Sequence, residues 1–195
     1  MTLRLASSSD AGGIVEIYGP IVASTPISFE VEPPDEPEMA RRIQEITVRY
    51  PWLVCEEGGR VAGYAYGSRH RARAAYQWSV EVSAYVHPDF RRRGIGRALY
   101  ESLFEILRAQ GYCSAYAGIT LPNEGSVGLH ESVGFRPVGI YRKIGYKLGA
   151  WHDVGWWELA LQTVASHPRA PVSLGEIRQH AAWGQMIGAG CKLVR

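Results

Sequence analysis

The stretch VSAYVHPDFRRRGIGRALYESLFEILRAQG, from Val82 to Gly111, constrains this chain more than any other. Val82, Ala84 and Val86 alternate with Ser83 and Tyr85, the period-2 pattern of a strand. His87-Pro88-Asp89 stops that strand, because proline has no N–H to give a ladder and restricts the residue before it. Arg91, Arg92 and Arg93 follow, then Gly94-Ile95-Gly96, then an amphipathic helix. Its buried stripe would be Ile95, Leu99, Leu103, Ile106 and Leu107, with Glu101, Glu105 and Arg108 outside. Gly111 stands where a helix-ending glycine belongs.

A strand that enters a helix through a basic glycine loop suits a polyphosphate. The first N–H groups of a helix lack internal partners, and the helix dipole adds partial positive charge there. Glycine lets backbone approach phosphate oxygens, and arginine supplies charge-assisted donors. The same residues also read as a solvated basic turn before an ordinary helix. The loop is neither the dinucleotide fingerprint GxGxxG nor a P-loop, since no Gly-Lys-Ser/Thr occurs in the chain.

At 195 residues the chain is expected to be one domain, 1–164, with a linker and tail over 165–195 that carries a short helix. A net charge of +2 gives no reason to expect nucleic acid as a partner. Cys55, Cys113 and Cys191 are far apart, odd in number and in no metal spacing, as expected of reduced, partly buried thiols in a cytoplasmic protein. No long apolar run suggests a membrane partner. There is no HExxH, no CxxC pair, no G-x-S-x-G and no aspartate cluster, so no metal is expected.

Around the central stretch the sequence predicts a mixed α/β order. Leu3 to Leu5 reads as a strand, and Ser9 or Asp10 caps a helix running to about Tyr18, where Gly19-Pro20 should break it. Ile21 to Pro34 is apolar without period and reads as loop or short helix. Phe29 within it is either a lid over core or a ligand contact. Asp35-Glu36-Pro37-Glu38 starts a helix carrying Met39, Ile43, Ile46 and Tyr50. Trp52 to Glu56 and Arg60 to Gly67 form a hairpin about Gly58-Gly59. A basic connector, Ser68 to Ala75, leads into a strand from Gln77 to Val86.

Beyond the central helix, Tyr112 to Ile119 is a strand, Glu124 to Val133 a short helix, and Phe135 to Tyr141 and Val154 to Leu161 are strands. Strand-helix-strand order places the domain in the layered α/β class. Ser173-Leu174-Gly175-Glu176 can box a helix reaching about Met186, on a tail expected to be loosely docked or disordered.

Four segments carry a resemblance to the GNAT superfamily of N-acetyltransferases, in its phosphinothricin, methionine sulfoximine and arsinothricin branch. They are the strand around Trp78 to Val86, the Arg91-x-x-Gly94-x-Gly96 loop, Leu121-Pro-Asn-Glu-Gly-Ser-Val-Gly-Leu-His-Glu131, and Gly145-Tyr-Lys-Leu-Gly-Ala-Trp-His-Asp-Val-Gly155. The resemblance implies one domain with a mixed, mostly antiparallel sheet flanked by helices. It also implies acetyl-CoA as cosubstrate, direct acetyl transfer to the α-amine of a small amino-acid-like substrate, a detoxifying role and a homodimer.

By the same resemblance, Tyr85, Val86, Arg91, Arg92, Arg93, Gly94, Ile95, Gly96, Arg97, Asn123 and Ser126 would bind acetyl-CoA. Phe29, Arg71, Arg73 and Tyr76 would bind the acceptor, although Arg71 and Arg73 also read as a solvated turn. Glu81 and His130 are the proton-transfer candidates. Glu81 needs burial, here expected among Trp78 and Tyr85, to become a useful base, or else it is merely paired with Arg71 or Arg73. His130 stands where many of these enzymes have tyrosine, which leaves it base, acid or both. Lys147, Trp151 and His152 are typical of the branch but can equally seat the last strand. Acceptors of another class, such as polyamines, and a non-catalytic acyl-CoA-binding module remain the alternatives.

Overall fold

The computed structural model describes residues 1–194. Its strands are β1 (Thr2–Leu5), β2 (Trp52–Glu57), β3 (Arg60–Arg69), β4 (Ser79–Val86), β5 (Ser114–Leu121), β6 (Arg136–Lys147) and β7 (Ala150–Ala160). They form one sheet in the order β1-β2-β3-β4-β5-β7-β6. Every neighbouring pair is antiparallel except β4 and β5. The helices are α1 (Ala11–Ser24), α2 (Glu36–Thr47), α3 (Ile95–Gln110), α4 (Glu124–Ser132), α5 (Leu174–Ile177) and α6 (Trp183–Gly188). This is the mixed, mostly antiparallel α/β domain that the sequence led us to expect.

Each face of the sheet has its own core. Helix α3 lays Ile95, Leu99, Leu103, Ile106 and Leu107, all buried, against Leu53, Ala65, Val80, Val82 and Ala115. Fully burying one such aliphatic side chain contributes about 1.5–3 kcal/mol, so this stripe anchors the helix far more firmly than its helix propensity does. On the other face α1 and α2 bury Ile14, Ile17, Tyr18, Met39 and Ile43 over Trp52, Val54 and Tyr64. Asp35 caps α2 by accepting from the Glu38 N–H at 2.9 Å, as its sequence position implied.

Side-chain alternation along β4 follows from these two cores. Val80 and Val82 point to α3, which leaves Glu81, Ser83 and Tyr85 for the opposite face. The parallel β4–β5 pairing covers only Ser79↔Ser114, Val80↔Ala115 and Glu81↔Tyr116. Beyond that rung the strands separate, and residues 82–86 of β4 keep a partner only on the β3 side.

Two expectations need correction. Helix α1 does not break at Gly19-Pro20: it runs to Ser24 with Pro20 inside. Proline removes one backbone donor, but Val22 is fully buried a turn beyond Tyr18, and that burial holds the last turn in place. The tail is not loosely docked. Ser173 boxes only the short α5, α6 follows separately, and Leu174, Ile177 and Met186 are buried in the α3 core. Ser102 Oγ in α3 donates to the Ile187 carbonyl at 2.9 Å and accepts from the Gly190 N–H at 3.0 Å. A lone buried hydroxyl in α3 gave no sign of this partner in the sequence.

Candidate active site

The widening gap between β4 and β5 opens a cleft of about 650 Å³. Its walls are Val82 to Val86 of β4, Gly118 to Thr120 of β5, the loop and first turn of α3, and the first turns of α4. Tyr85, Val86, Arg91, Arg92, Gly94, Ile95, Gly96, Arg97, Asn123, Ser126 and His130 all line it, so the structure gathers most of the sequence-derived candidates in one place. Glu81, Phe29, Arg71, Arg73 and Tyr76 lie outside its lining, and among the acetyl-CoA candidates Arg93 is the exception. Its guanidinium is spent on a bidentate pair with Glu57, at 2.7 and 2.8 Å.

The loop has the geometry of an anion cradle. Arg92 and Gly94 both take positive φ, 65° and 82°, the kind of turn from which anion-binding nests are built. Glycine is required at 94, because a Cβ there would lie 2.2 Å from the Leu193 carbonyl oxygen of the docked tail. At Gly96 a Cβ would approach Leu129 of α4 to 2.9 Å, so the glycine also lets the two helices meet. An unsatisfied helix start, exposed Arg91, Arg92 and Arg97 beside it, and the unpaired β4 edge fit the pyrophosphate and amide-bearing arm of acetyl-CoA.

Glu81 occupies the last paired rung before the strands separate. Its side chain is 29% exposed, and burial pushes its carboxyl above the usual 4.5, opposed by the nearby Arg71 cation. It forms no ion pair with Arg71 or Arg73. Its close neighbour is instead the His70 imidazole, whose Nδ1 lies 3.5 Å from Glu81 Oε1. His70 stacks on Tyr116, with ring centroids 4.6 Å apart, and meets Trp156 and Tyr76 edge-on. The Arg71 guanidinium sits 5.6 Å from the Trp156 ring centre, and Tyr141 lies against Trp156 from β6. These groups make an aromatic cup with one cation at its rim and Glu81 in its wall. Trp78 is not part of it; its indole N–H donates to the Arg169 carbonyl of the tail.

His70, Tyr116 and Trp156 escaped the sequence reading. Ser68 pairs with Glu81, so the alternation of β3 continues to His70 on the Glu81 face, a relation visible only with the register known. Arg71, Arg73 and Tyr76 line a second hollow of about 350 Å³ together with Arg49 and Arg69. Phe29 lies apart from them, its ring so close over Gly145 that a Cβ there would be 2.1 Å away. Its loop is tied down by Lys147, whose ammonium donates to the Val22 and Ser28 carbonyls at 2.6 and 2.7 Å. Burial lowers the Lys147 pKa from its usual 10.5.

His130 is 5% exposed and fully engaged. Its Nδ1 is 2.7 Å from the Ser126 carbonyl, which fixes that nitrogen as the donor, and its Nε2 is 2.8 Å from the Tyr100 hydroxyl, which therefore donates to it. Burial pushes its pKa below 6.5, so the ring is neutral near pH 7. Among the described residues, no group of three or more His, Cys, Asp or Glu side chains is placed to hold a metal ion. Nor is any helix among them long and apolar enough to cross a membrane.

The family described as acetyltransferase (GNAT) domain matches residues 3–156. The chain is a GNAT acetyltransferase. The phosphinothricin N-acetyltransferase of Streptomyces viridochromogenes is 39% identical over 170 residues, covering 87% of this chain and 92% of that protein. The L-methionine sulfoximine/L-methionine sulfone acetyltransferase of Salmonella typhimurium is 34% identical, covering 85% of this chain and 98% of that one. Among solved structures, a GNAT superfamily phosphinothricin acetyltransferase from Sinorhizobium meliloti, in complex with acetyl-CoA, matches with a TM-score of 0.81 at 38% identity. That match covers 86% of this chain and 92% of the other. This GNAT enzyme is thus an acetyl-CoA-dependent N-acetyltransferase.

Proposed function

We propose that this enzyme acetylates the α-amine of a small amino-acid analogue of the phosphinothricin, methionine sulfoximine or arsinothricin type, and thereby detoxifies it. The observation that carries this reading is the position of Glu81. A half-buried carboxylate stands on the last paired rung of β4 and β5, beside the cation-rimmed cup and one residue before Val82, where the cleft lining begins. The names of the relatives supply the chemical class.

Acetyl-CoA brings an activated thioester. In this reading, the N–H groups and arginines at the mouth of α3, among them Arg91, Arg92 and Arg97, hold its pyrophosphate, and the free β4 edge from Val82 to Val86 aligns its arm. Asn123 and Ser126 of α4 close the cleft's far side, while Arg93 acts through its backbone alone. Such alignment lowers the entropic part of the barrier before any proton moves.

Glu81 accepts the proton of the acceptor's ammonium, freeing the nitrogen lone pair for attack. Its raised pKa makes it a better base than an exposed glutamate. Arg71, with Arg73 and Tyr76, receives the acceptor's anionic groups, while Phe29 covers Gly145 apart from them. The cluster of arginines disfavours polyamines and aminoglycosides, which would be repelled. His130 is assigned the cleft wall, because both its nitrogens already have partners.

A homodimer through β6 and β7 belongs to the same proposal. The β6 edge strand is exposed along nearly its whole length, yet presents Val138, Ile140, Tyr141, Ile144 and Tyr146, with Leu148 and Trp151 in the adjoining turn and β7. A patch of this kind on a sheet edge calls for a partner. Sedimentation at micromolar concentration should give twice the chain mass; a monomer at all concentrations removes the dimer. A cytoplasmic location is part of this reading.

The deciding assay follows thiol release from acetyl-CoA against phosphinothricin, methionine sulfoximine, arsinothricin, methionine sulfone, glutamate, spermidine and an aminoglycoside. Turnover of one of the three analogues at least tenfold above glutamate and the polycations is expected. Preference for a polycation, or silence across all seven while acetyl-CoA binds, rejects the assigned acceptor class.

A further inference from the structure

Resting on the assignment of Glu81 as proton acceptor, we propose that His70 is a positioning residue for that carboxylate. Its imidazole would hold one carboxylate oxygen so that the other is presented to the acceptor amine.

Four observations support this. His70 Nδ1 is 3.5 Å from Glu81 Oε1, a few tenths of an ångström beyond a good hydrogen bond. That nitrogen is buried and has no hydrogen-bond partner. An unsatisfied buried ring nitrogen is costly and calls for an explanation. The ring cannot swing away easily, because it stacks on Tyr116 and is flanked edge-on by Trp156 and Tyr76. Finally, His70 belongs to the same face of the sheet as Glu81 through the Ser68↔Glu81 register.

The chemistry needs one proton between these two groups. A bare nitrogen lone pair facing a carboxylate is repulsive, whereas Nδ1–H donating to Oε1 is favourable. With burial and the Arg71 cation disfavouring imidazolium, His70 stays neutral and keeps that single proton. Oε1 is then held by Nδ1–H, and Oε2 takes the proton that the ammonium releases. One N–H bond of the acceptor breaks, one O–H bond on Glu81 forms, and His70 ends as it began. Catalytic hydrogen bonds in ligand-free sites are often long and tighten when substrate closes the pocket, which accommodates the 3.5 Å gap.

The charged and titratable groups on this face around the pair are Arg71 from the connector, Tyr76 beyond it, Tyr116 from β5, and Glu158 of β7, the register partner of Tyr116. A His70 substitution leaves all of them in place. Any shift of the acid limb therefore reports the lost donor.

His70→Phe preserves the stack on Tyr116 and removes Nδ1. His70→Asn places an amide N–H close to where Nδ1–H was. With the acceptor that turns over best, His70→Phe should lose roughly 10- to 100-fold in kcat with KM for acetyl-CoA unchanged, the equivalent of one hydrogen bond to a charged group. Its acid limb should move to higher pH, because a carboxylate without its donor is protonated more readily. His70→Asn should recover most of both. A second measurement needs no turnover: in an NMR titration, the His70 midpoint should fall in Glu81→Gln, where the neighbouring negative charge is gone.

An unchanged pH profile in His70→Phe overturns the proposal, as does a His70→Asn variant no better than His70→Phe, or a His70 midpoint indifferent to Glu81→Gln. Full activity of Glu81→Gln would instead remove Glu81 from the mechanism, and the NMR coupling would still report whether the pair exists.

Discussion

The two halves of the site are built from different materials. The acetyl-CoA half uses backbone: a positive-φ turn, a helix start and a strand edge left unpaired where β4 leaves β5. The acceptor half uses side chains delivered from the end of β3, the basic connector, β4, β5 and β7, held together by ring stacking. A backbone site tolerates changes of side chain but not of chain path. A side-chain site is the reverse, and one substitution can change what it accepts while the fold stays untouched.

The sharpest test of this contrast is Glu81→Gln. It should cost on the order of 10²–10⁴ in kcat with acetyl-CoA affinity unchanged, since only proton acceptance is lost. In the unmodified enzyme the rate should climb with pH along a limb whose midpoint lies above 4.5, the direction in which burial moves Glu81. A limb at or below 4.5 would point away from a buried base.

Gly94→Val attacks the other half. Backbone strain of about 1–3 kcal/mol, with a side chain driven into the Leu193 carbonyl, should weaken acetyl-CoA binding roughly 5- to 100-fold by calorimetry. Equal affinity would mean that the loop is not preorganised by its glycine.

Next in size is His130→Phe, which leaves the buried Tyr100 hydroxyl without its acceptor and should cost about 1–3 kcal/mol in chemical denaturation. The sign with pH follows from a folded pKa held below 6.5. The unfolded chain binds the proton more readily, so this contribution is present above pH 6.5 and is lost as pH falls through the folded value. His130→Phe should flatten that part of the stability profile. A normal stability with collapsed kcat would instead return His130 to the chemistry.

The smallest effects are expected within the arginine run. Arg93→Ala breaks a half-exposed pair with Glu57, worth about 0.2–1 kcal/mol of stability, and should leave acetyl-CoA affinity nearly unchanged. Arg91→Ala should weaken acetyl-CoA binding severalfold and lessen its dependence on salt. Reversed results would exchange their roles.

The same contrast explains what could be read in the sequence. Residues 82–111 form a continuous strand, loop and helix, so local pattern and glycine chemistry pointed to a polyphosphate loop and the α/β class, and the resemblance to the GNAT motifs supplied acetyl-CoA. Glu81 stands one residue before that run and was a candidate through the resemblance. The acceptor cup was not legible, because His70, Tyr116 and Trp156 meet only through strand register, which no local periodicity reveals. Arg93 misled for a related reason: its partner Glu57 lies 36 positions away. Pro20 misled because burial of Val22 outweighs a local breaking signal, and the tail because its apolar residues are too sparse to show periodicity.

A protein that delivers acetyl groups to amines also carries amines of its own. The lysines of this chain are Lys143, Lys147 and Lys192, its positive charge residing mostly on arginines that cannot be acylated in this way. Lys147 is held under two carbonyls, and because its pKa is lowered only by that burial, its amine becomes an ordinary, acylatable lysine only when the cover opens. An acetyl mark on Lys147, read by peptide mass spectrometry, would therefore be a chemical record of how often the loop after α1 lets go of the β6–β7 hairpin.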